Sequence, residues 1–164
     1  MTTAQADQRA LRTAMAQFPS GVVALCADPA GERIGMAASS FVSVSLEPAL
    51  VAVCIQQTSS TWPRLREAGT LGVSVLAEAH STAARTLAAR SGDRFAGVPT
   101  VRRDSGALLV EGAALWIESR IVEEVPAGDH TIALLSVDWL EHPGDVAPIV
   151  FHRSAFCRLE RSDG

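Results

Sequence analysis

Apolar positions along this chain recur with two different periods. Leu11, Met15 and Phe18 fall at helical spacing ahead of Pro19, and Thr2 with Gln5 three residues on can cap such a helix, so an N-terminal helix is expected within residues 1–18. Its apolar stripe reads as packing surface. From Val22 onward the helical period gives way to short strand-like runs. Residues 22–27 are continuously apolar and lead into Asp28-Pro29-Ala30-Gly31, the residue order a type I turn prefers. A hairpin follows, its returning strand carrying Ile34 and Met36. Val42, Val44 and Leu46 then alternate with Ser43 and Ser45, the signature of a strand with one buried face, and residues 49–55 are apolar throughout, as in a central strand covered on both faces.

The second half repeats this economy. Residues 62–67 form a short helix that tolerates Pro63 in its first turn and stops at Gly69. Leu71, Val73 and Val75 mark a strand, and the Ala-rich stretch 81–90 a helix ending at Gly92. Further strands are expected at 108–110, 113–122, 131–140, 149–152 and 155–159, with a tight polar turn at Gly128-Asp129-His130 that sets His130 at a strand mouth. The pattern is mainly β, a β-barrel with a few helices, in a single domain spanning residues 1–164.

Composition narrows the possible partners. At 164 residues, 48% apolar and 20% charged, the chain can bury a real core. A net charge of −4 without a block of Lys or Arg argues against nucleic acid or an anionic membrane, whose phosphates need a basic face. The N-terminus lacks a charged start and apolar core, and no apolar run has membrane-spanning length, so the cytoplasm is expected. The three cysteines (Cys26, Cys54, Cys157) form no Cys-x-x-Cys pair and sit in apolar segments, reading as small buried hydrophobes rather than nucleophiles. The four histidines (His80, His130, His142, His152) are scattered without metal-ligand spacing, so no metal is expected.

Two stretches carry candidate chemistry. Gly35, Ala37 and Ala38 leave main chain accessible beside the hydroxyls of Ser39 and Ser40, where a flat polar ligand such as a flavin can lie; a plain Ser-rich barrel strand reads equally well. Thr58-Ser59-Ser60-Thr61 puts four hydroxyls at a helix start, where free N–H groups and the positive dipole end favour a phosphate; the other reading is that Ser60 or Thr61 only caps the helix. Arg94 in the following loop either serves such a phosphate or is a solvated surface group.

Taken together, Phe18-Pro19-Ser20-Gly21-Val22, the Ser-Ser-Phe-Val-Ser-Val-Ser-Leu-Glu-Pro block at 39–48, Ser59-x-Thr61-Trp62, Asp93-Arg94-Phe95 and Gly128-Asp129-His130 resemble the short-chain flavin reductase family, the reductase components of two-component flavin-dependent monooxygenases. The resemblance runs from about Phe18 to Leu159. It implies an FMN-binding split barrel, usually a homodimer, that oxidises NADH or NADPH and passes hydride to FMN or FAD, which then serves a partner monooxygenase. Carried over residue by residue, it implies that Ala38, Ser39, Ser40, Phe41 and Val42 line the isoalloxazine, that Cys54 and Ile55 flank it, and that Ser59, Ser60 and Thr61 hold the ribityl-phosphate arm with Arg94 and Phe95. His130 is the candidate catalytic residue and contacts the nicotinamide; Phe151, His152, Arg153 and Ser154 match the segment near the nicotinamide nucleotide. His152 and Ser154 depart from the family's common Tyr and Gly there, as does His80 where Gln is common. A split barrel that carries FMN without a productive nicotinamide site is the alternative reading.

Overall fold

The computed structural model describes residues 7–162. The first helix, α1 (Gln8–Met15), is capped by Asp7, whose carboxylate accepts the Arg9 N–H at 3.2 Å. The cap expected at Thr2 with Gln5 lies outside the described residues. After α1 come β1 (Ser20–Gly21), β2 (Val23–Ala27), β3 (Ile34–Ala38), β4 (Val42–Leu46) and β5 (Ala49–Gln56). Next are α2 (Trp62–Ala68), β6 (Thr70–Val75), a single 3-10 turn (Glu78–His80) and α3 (Ser81–Leu87). The chain then continues as β7 (Thr100–Arg102), β8 (Leu108–Val110), β9 (Leu115–Ala127), β10 (His130–Ser136), β11 (Trp139–Glu141), β12 (Val150–His152) and β13 (Ala155–Cys157).

One antiparallel sheet dominates, in the order β3-β2-β6-β9-β10-β5-β4, with β11 also paired to β9. The turn expected at 28–31 joins β2 to β3, with Gly31 at φ 87° and its N–H bonded to the Asp28 carboxylate at 2.6 Å. Strand β2 is continuously apolar because both its faces are covered. Val23 and Leu25 enter one core with Val53, Ile55, Leu71, Val73 and Leu135, while Ala24 and Cys26 enter a second with Leu76, Leu87, Phe95 and Leu108. Full burial of each large aliphatic side chain is worth about 1.5–3 kcal/mol. At Gly72 the sheet admits no side chain at all, since a Cβ there would stand 2.0 Å from the Leu108 carbonyl oxygen.

Strand β9 is long because it serves two neighbourhoods, pairing β6 and β11 through its first half and β10 through its second. The register slips by one residue opposite Leu134/Leu135, a bulge that lets the strand bend. The strand expected at 131–140 is correspondingly broken: β10 pairs with β5, and after Asp138 the chain crosses to β9 as β11. Two small sheets complete the fold, β1-β12-β13 and β7-β8.

Three expectations about burial need correction. Val42, Val44 and Leu46 alternate as anticipated, but β4 is the last strand of the sheet and leaves them 53%, 48% and 91% exposed. The α1 stripe is likewise uncovered, with Leu11, Met15 and Phe18 all exposed. Among the cysteines only Cys26 is buried, its thiol pushed up to about 12 by burial and so inert; Cys54 and Cys157 are exposed.

Candidate active site

Because β3 pairs only with β2 among the described residues, its outer edge there carries backbone groups without a strand partner. That edge faces β5 across a cavity of about 720 Å³ lined by Met36, Ala37 and Ala38 from β3, by Ser39 and Ser40 beyond it, and by Cys54, Ile55 and Gln56 from β5. Thr58, Ser59, Ser60 and Thr61 close one side, His130 another, and Leu87, Ala88, Arg90 and Arg94 complete the wall. Small side chains on β3 keep its edge within reach of a flat ligand, and the neighbouring hydroxyls add polar partners.

Each wall is fixed by specific bonds. The Ser40 hydroxyl accepts the Cys54 N–H at 2.8 Å and donates to the Cys54 carbonyl at 3.0 Å, stitching the chain after β3 to β5. Ser59, rather than Ser60 or Thr61, caps the helix entry by accepting the Trp62 N–H at 3.1 Å. Thr61 instead accepts from Arg94 Nη1 at 2.7 Å, and the same Nη1 donates to the Gly35 carbonyl on the β3 edge at 3.1 Å. Helix α2 is anchored beneath by Trp62 Nε1–H donating to Glu124 at 2.8 Å, with Arg66 on the same carboxylate. That hydrogen bond from Arg66 is the main reason the Glu124 carboxyl lies below its usual range.

Asp93-Arg94-Phe95 divides its labour. The Asp93 carboxylate accepts the Phe95 N–H at 2.9 Å and sets the turn. Phe95 is buried against Gly35, where an added Cβ would fall 2.6 Å from its ring, and this plug aims Arg94 into the cavity. Phe95 itself lines a smaller neighbouring cavity with Arg33 and Arg64, not the main one. Arg94 is half-buried and bonded, so the solvated-surface reading fails.

At the opposite wall, Gly128 at φ 65° makes the β9–β10 turn. His130 Nδ1–H donates to the Asp129 carboxylate at 2.6 Å, and this bond chiefly holds the Asp129 carboxyl below its usual range. The ring is thereby oriented with Nε2 left for the cavity. Gln57 ties the turn to the hydroxyl loop, its N–H donating to the Asp129 carbonyl at 3.0 Å.

The cavity therefore gathers Ala38, Ser39, Ser40, Cys54, Ile55, Ser59, Ser60, Thr61, Arg94 and His130. Phe41 packs against the core and Val42 is exposed on β4, and neither lines it. Phe151, His152, Arg153 and Ser154 form the β12–β13 hairpin and stand apart from it too. Sequence reasoning missed Gln56 and Arg90; Arg90, a cation closing the Ala-rich helical stretch four residues before Arg94, offered the clearest signal.

The flavin reductase like domain matches residues 15–160. The chain belongs to the flavin reductase family. It is 41% identical over 155 residues to the actinorhodin polyketide dimerase of Streptomyces coelicolor, covering 94% of this chain and 88% of that protein. It is 30% identical to the flavin-dependent monooxygenase reductase subunit HsaB of Rhodococcus jostii, over 94% of this chain and 79% of the relative. Among solved structures, the NADH:FAD oxidoreductase SgcE6 of Streptomyces globisporus C-1027, in complex with NAD and FAD fragments, superposes with a TM-score of 0.90 at 34% identity, covering 96% of each chain. The mainly β architecture is thus that of the FMN-binding split barrel, and the chain is an oxidoreductase of this family.

Proposed function

We propose that this protein oxidises NADH or NADPH and reduces FMN or FAD held in the cavity between β3 and β5. The observation that carries the reading is the cavity itself: an unpartnered strand edge flanked by hydroxyls, with Arg90 and Arg94 on one wall and an oriented His130 on another. An isoalloxazine presents donors and acceptors around a flat rim, which suits such an edge, and the two guanidiniums with Thr61 suit a phosphate arm. When bound, flavin supplies the hydride acceptor and the electronics of the transfer. The protein supplies position.

Ala37 and Ala38 keep the β3 edge open for the ring, and Ile55 gives it an apolar floor. Asp129 fixes the His130 tautomer so that Nε2 accepts a hydrogen bond from the nicotinamide carboxamide and orients it. Holding the two reacting rings at attack distance is where most of the acceleration arises, because it converts an encounter into an intramolecular step. Reduced flavin then diffuses to a partner monooxygenase. The protein acts as a homodimer that covers the exposed Val42, Val44 and Leu46 on β4, since an apolar edge strand left in water invites pairing. Sedimentation of the purified protein should show two copies, and Leu46→Glu should shift it to one.

Steady-state NADH and NADPH oxidation with added free flavin tests the activity. Turnover that rises and saturates with flavin supports the reductase reading. Flavin binding without nucleotide oxidation would make the protein a carrier, a role compatible with the 151–154 hairpin standing apart from the cavity.

A further inference from the structure

The hydroxyl loop of the flavin cavity hangs from one side chain. Trp62, the first residue of α2, is 3% exposed, and its main-chain N–H is the one that Ser59 caps. The Thr61 carbonyl accepts the Arg64 and Leu65 N–H groups, both at 3.1 Å, so residues 59–61 and the first turn of α2 form one bonded unit. Where the Trp62 ring goes, Ser59, Ser60 and Thr61 go with it. The ring carries a buried N–H that needs an acceptor, and among the described residues Glu124 supplies it at 2.8 Å.

Glu124 lies outside the cavity and comes from a different part of the fold. It stands on β9, opposite Ala133 of β10, so the paired sheet fixes its backbone. Its Oε1 accepts from both Trp62 Nε1 and Arg66 Nη2, and its Oε2 accepts from Arg66 Nε, each at 2.8 Å. The carboxylate thus grips α2 at both ends, at Trp62 in the first turn and at Arg66 in the last. Three bonds to one rigid strand leave the helix little freedom to slide or turn. Three residues further along β9, Ala127 pairs with His130, so a single strand sets the anchor of the hydroxyl loop and the turn on the opposite wall.

We propose that Glu124 is a positioning residue for the phosphate arm of the flavin, acting through Trp62 on the hydroxyls of residues 59–61. It touches no ligand. Its effect is geometric: donors to a phosphate must be held to about half an ångström, and a supporting shell of hydrogen bonds supplies that precision. The inference rests on the reading that flavin occupies the cavity with its phosphate at this loop.

The test compares two flavins that differ only in the phosphate. Dissociation constants for FMN and riboflavin are read by fluorescence titration of wild type and variants. The wild type should bind FMN more tightly than riboflavin. Glu124→Ala leaves the indole N–H without its acceptor and should weaken FMN about tenfold, while riboflavin changes less than about twofold. Glu124→Gln keeps the oxygen shared by Trp62 and Arg66 Nη2 and should recover FMN binding to within about threefold of wild type. Trp62→Phe keeps a buried ring but removes the donor, so it should reproduce the selective loss even if Glu124→Ala does not fold. In each variant kcat at saturating FMN should stay near wild type, with the change confined to the KM for FMN. Equal weakening of FMN and riboflavin would make Glu124 a purely structural anchor and overturn the inference, as would variants that bind both flavins like wild type. A wild type that binds the two flavins equally would also overturn it while leaving the reductase reading intact. A wild type that binds neither flavin would remove that reading and the inference together.

Discussion

Two cavities of this fold stand on very different foundations. The one between β3 and β5 is built on the main sheet and backed by fully buried side chains, including Ile55, Leu87 and Phe95. The one between α1 and the β12–β13 turn is held by a few polar contacts, chiefly Arg153 on the Gln17 side-chain oxygen, to a helix that buries nothing. A ligand that must be placed to a fraction of an ångström gains from the first kind of wall. At the second, few buried contacts resist opening, so local opening costs little.

Breaking the sheet should therefore cost far more than breaking the helix contact. Gly72→Ala forces a Cβ into the Leu108 backbone and should destabilise the protein by about 3 kcal/mol, the upper end of ordinary overpacking penalties. Gln17→Ala should stay within about 0.5 kcal/mol, as exposed substitutions do. Urea unfolding of the two variants checks the contrast, and equal losses would erase it.

Within the first cavity, Arg94→Ala removes the guanidinium shared between Thr61 and the Gly35 carbonyl. The flavin dissociation constant should rise roughly thirtyfold, about 2 kcal/mol, while the KM for nucleotide at saturating flavin changes little. Fluorescence titration reads the first quantity and steady-state kinetics the second. Where the two ligands meet, His130→Ala should raise the KM for NADH about tenfold and lower kcat less, the mark of lost orientation rather than a lost proton. Complete loss of turnover with nucleotide binding intact would assign His130 an acid's role instead.

The smallest effect concerns His80, remote from either cavity. Its Nδ1 accepts the Ala77 N–H at 2.9 Å and its Nε2–H donates to the Glu111 carbonyl at 3.0 Å, a pairing only the neutral ring can make. Burial, partly opposed by the bond to Glu111, lowers its pKa. The unfolded chain therefore takes up the proton first, and the stability this histidine adds is full above the ordinary value of about 6.5 and fades as pH falls below it. Between about pH 7 and pH 5 the melting temperature of the wild type should drop slightly more than that of His80→Gln. Parallel curves would show that the ring titrates freely.

Much of the first cavity was legible because its determinants are local. A run such as 22–27 announces a strand covered on both faces, Asp28-Pro29-Ala30-Gly31 announces its turn, and Ser59 to Thr61 sits at a helix entry whatever lies around it. What stayed hidden depended on which surface meets which. The alternation of Val42, Val44 and Leu46 states that one face avoids water, but not whether the chain or a second molecule covers it. Cys54 has apolar neighbours in sequence, yet at its position β5 opens onto the cavity and leaves the residue exposed. Phe95 was expected beside the phosphate and instead acts as the buried plug that aims Arg94. Arg12 and Arg153 line one cavity from opposite ends of the chain, and no spacing within either segment could have disclosed it.

The central claim is that a nicotinamide nucleotide reduces flavin held between β3 and β5, and anaerobic stopped-flow tests it most directly. The purified protein with FMN or FAD is mixed with NADH, then with NADPH, and the visible flavin band is followed. Rapid bleaching with at least one nucleotide, slowed in the His130→Ala variant, is the predicted result. Flavin that binds in the cavity and keeps its colour with both nucleotides would contradict the account.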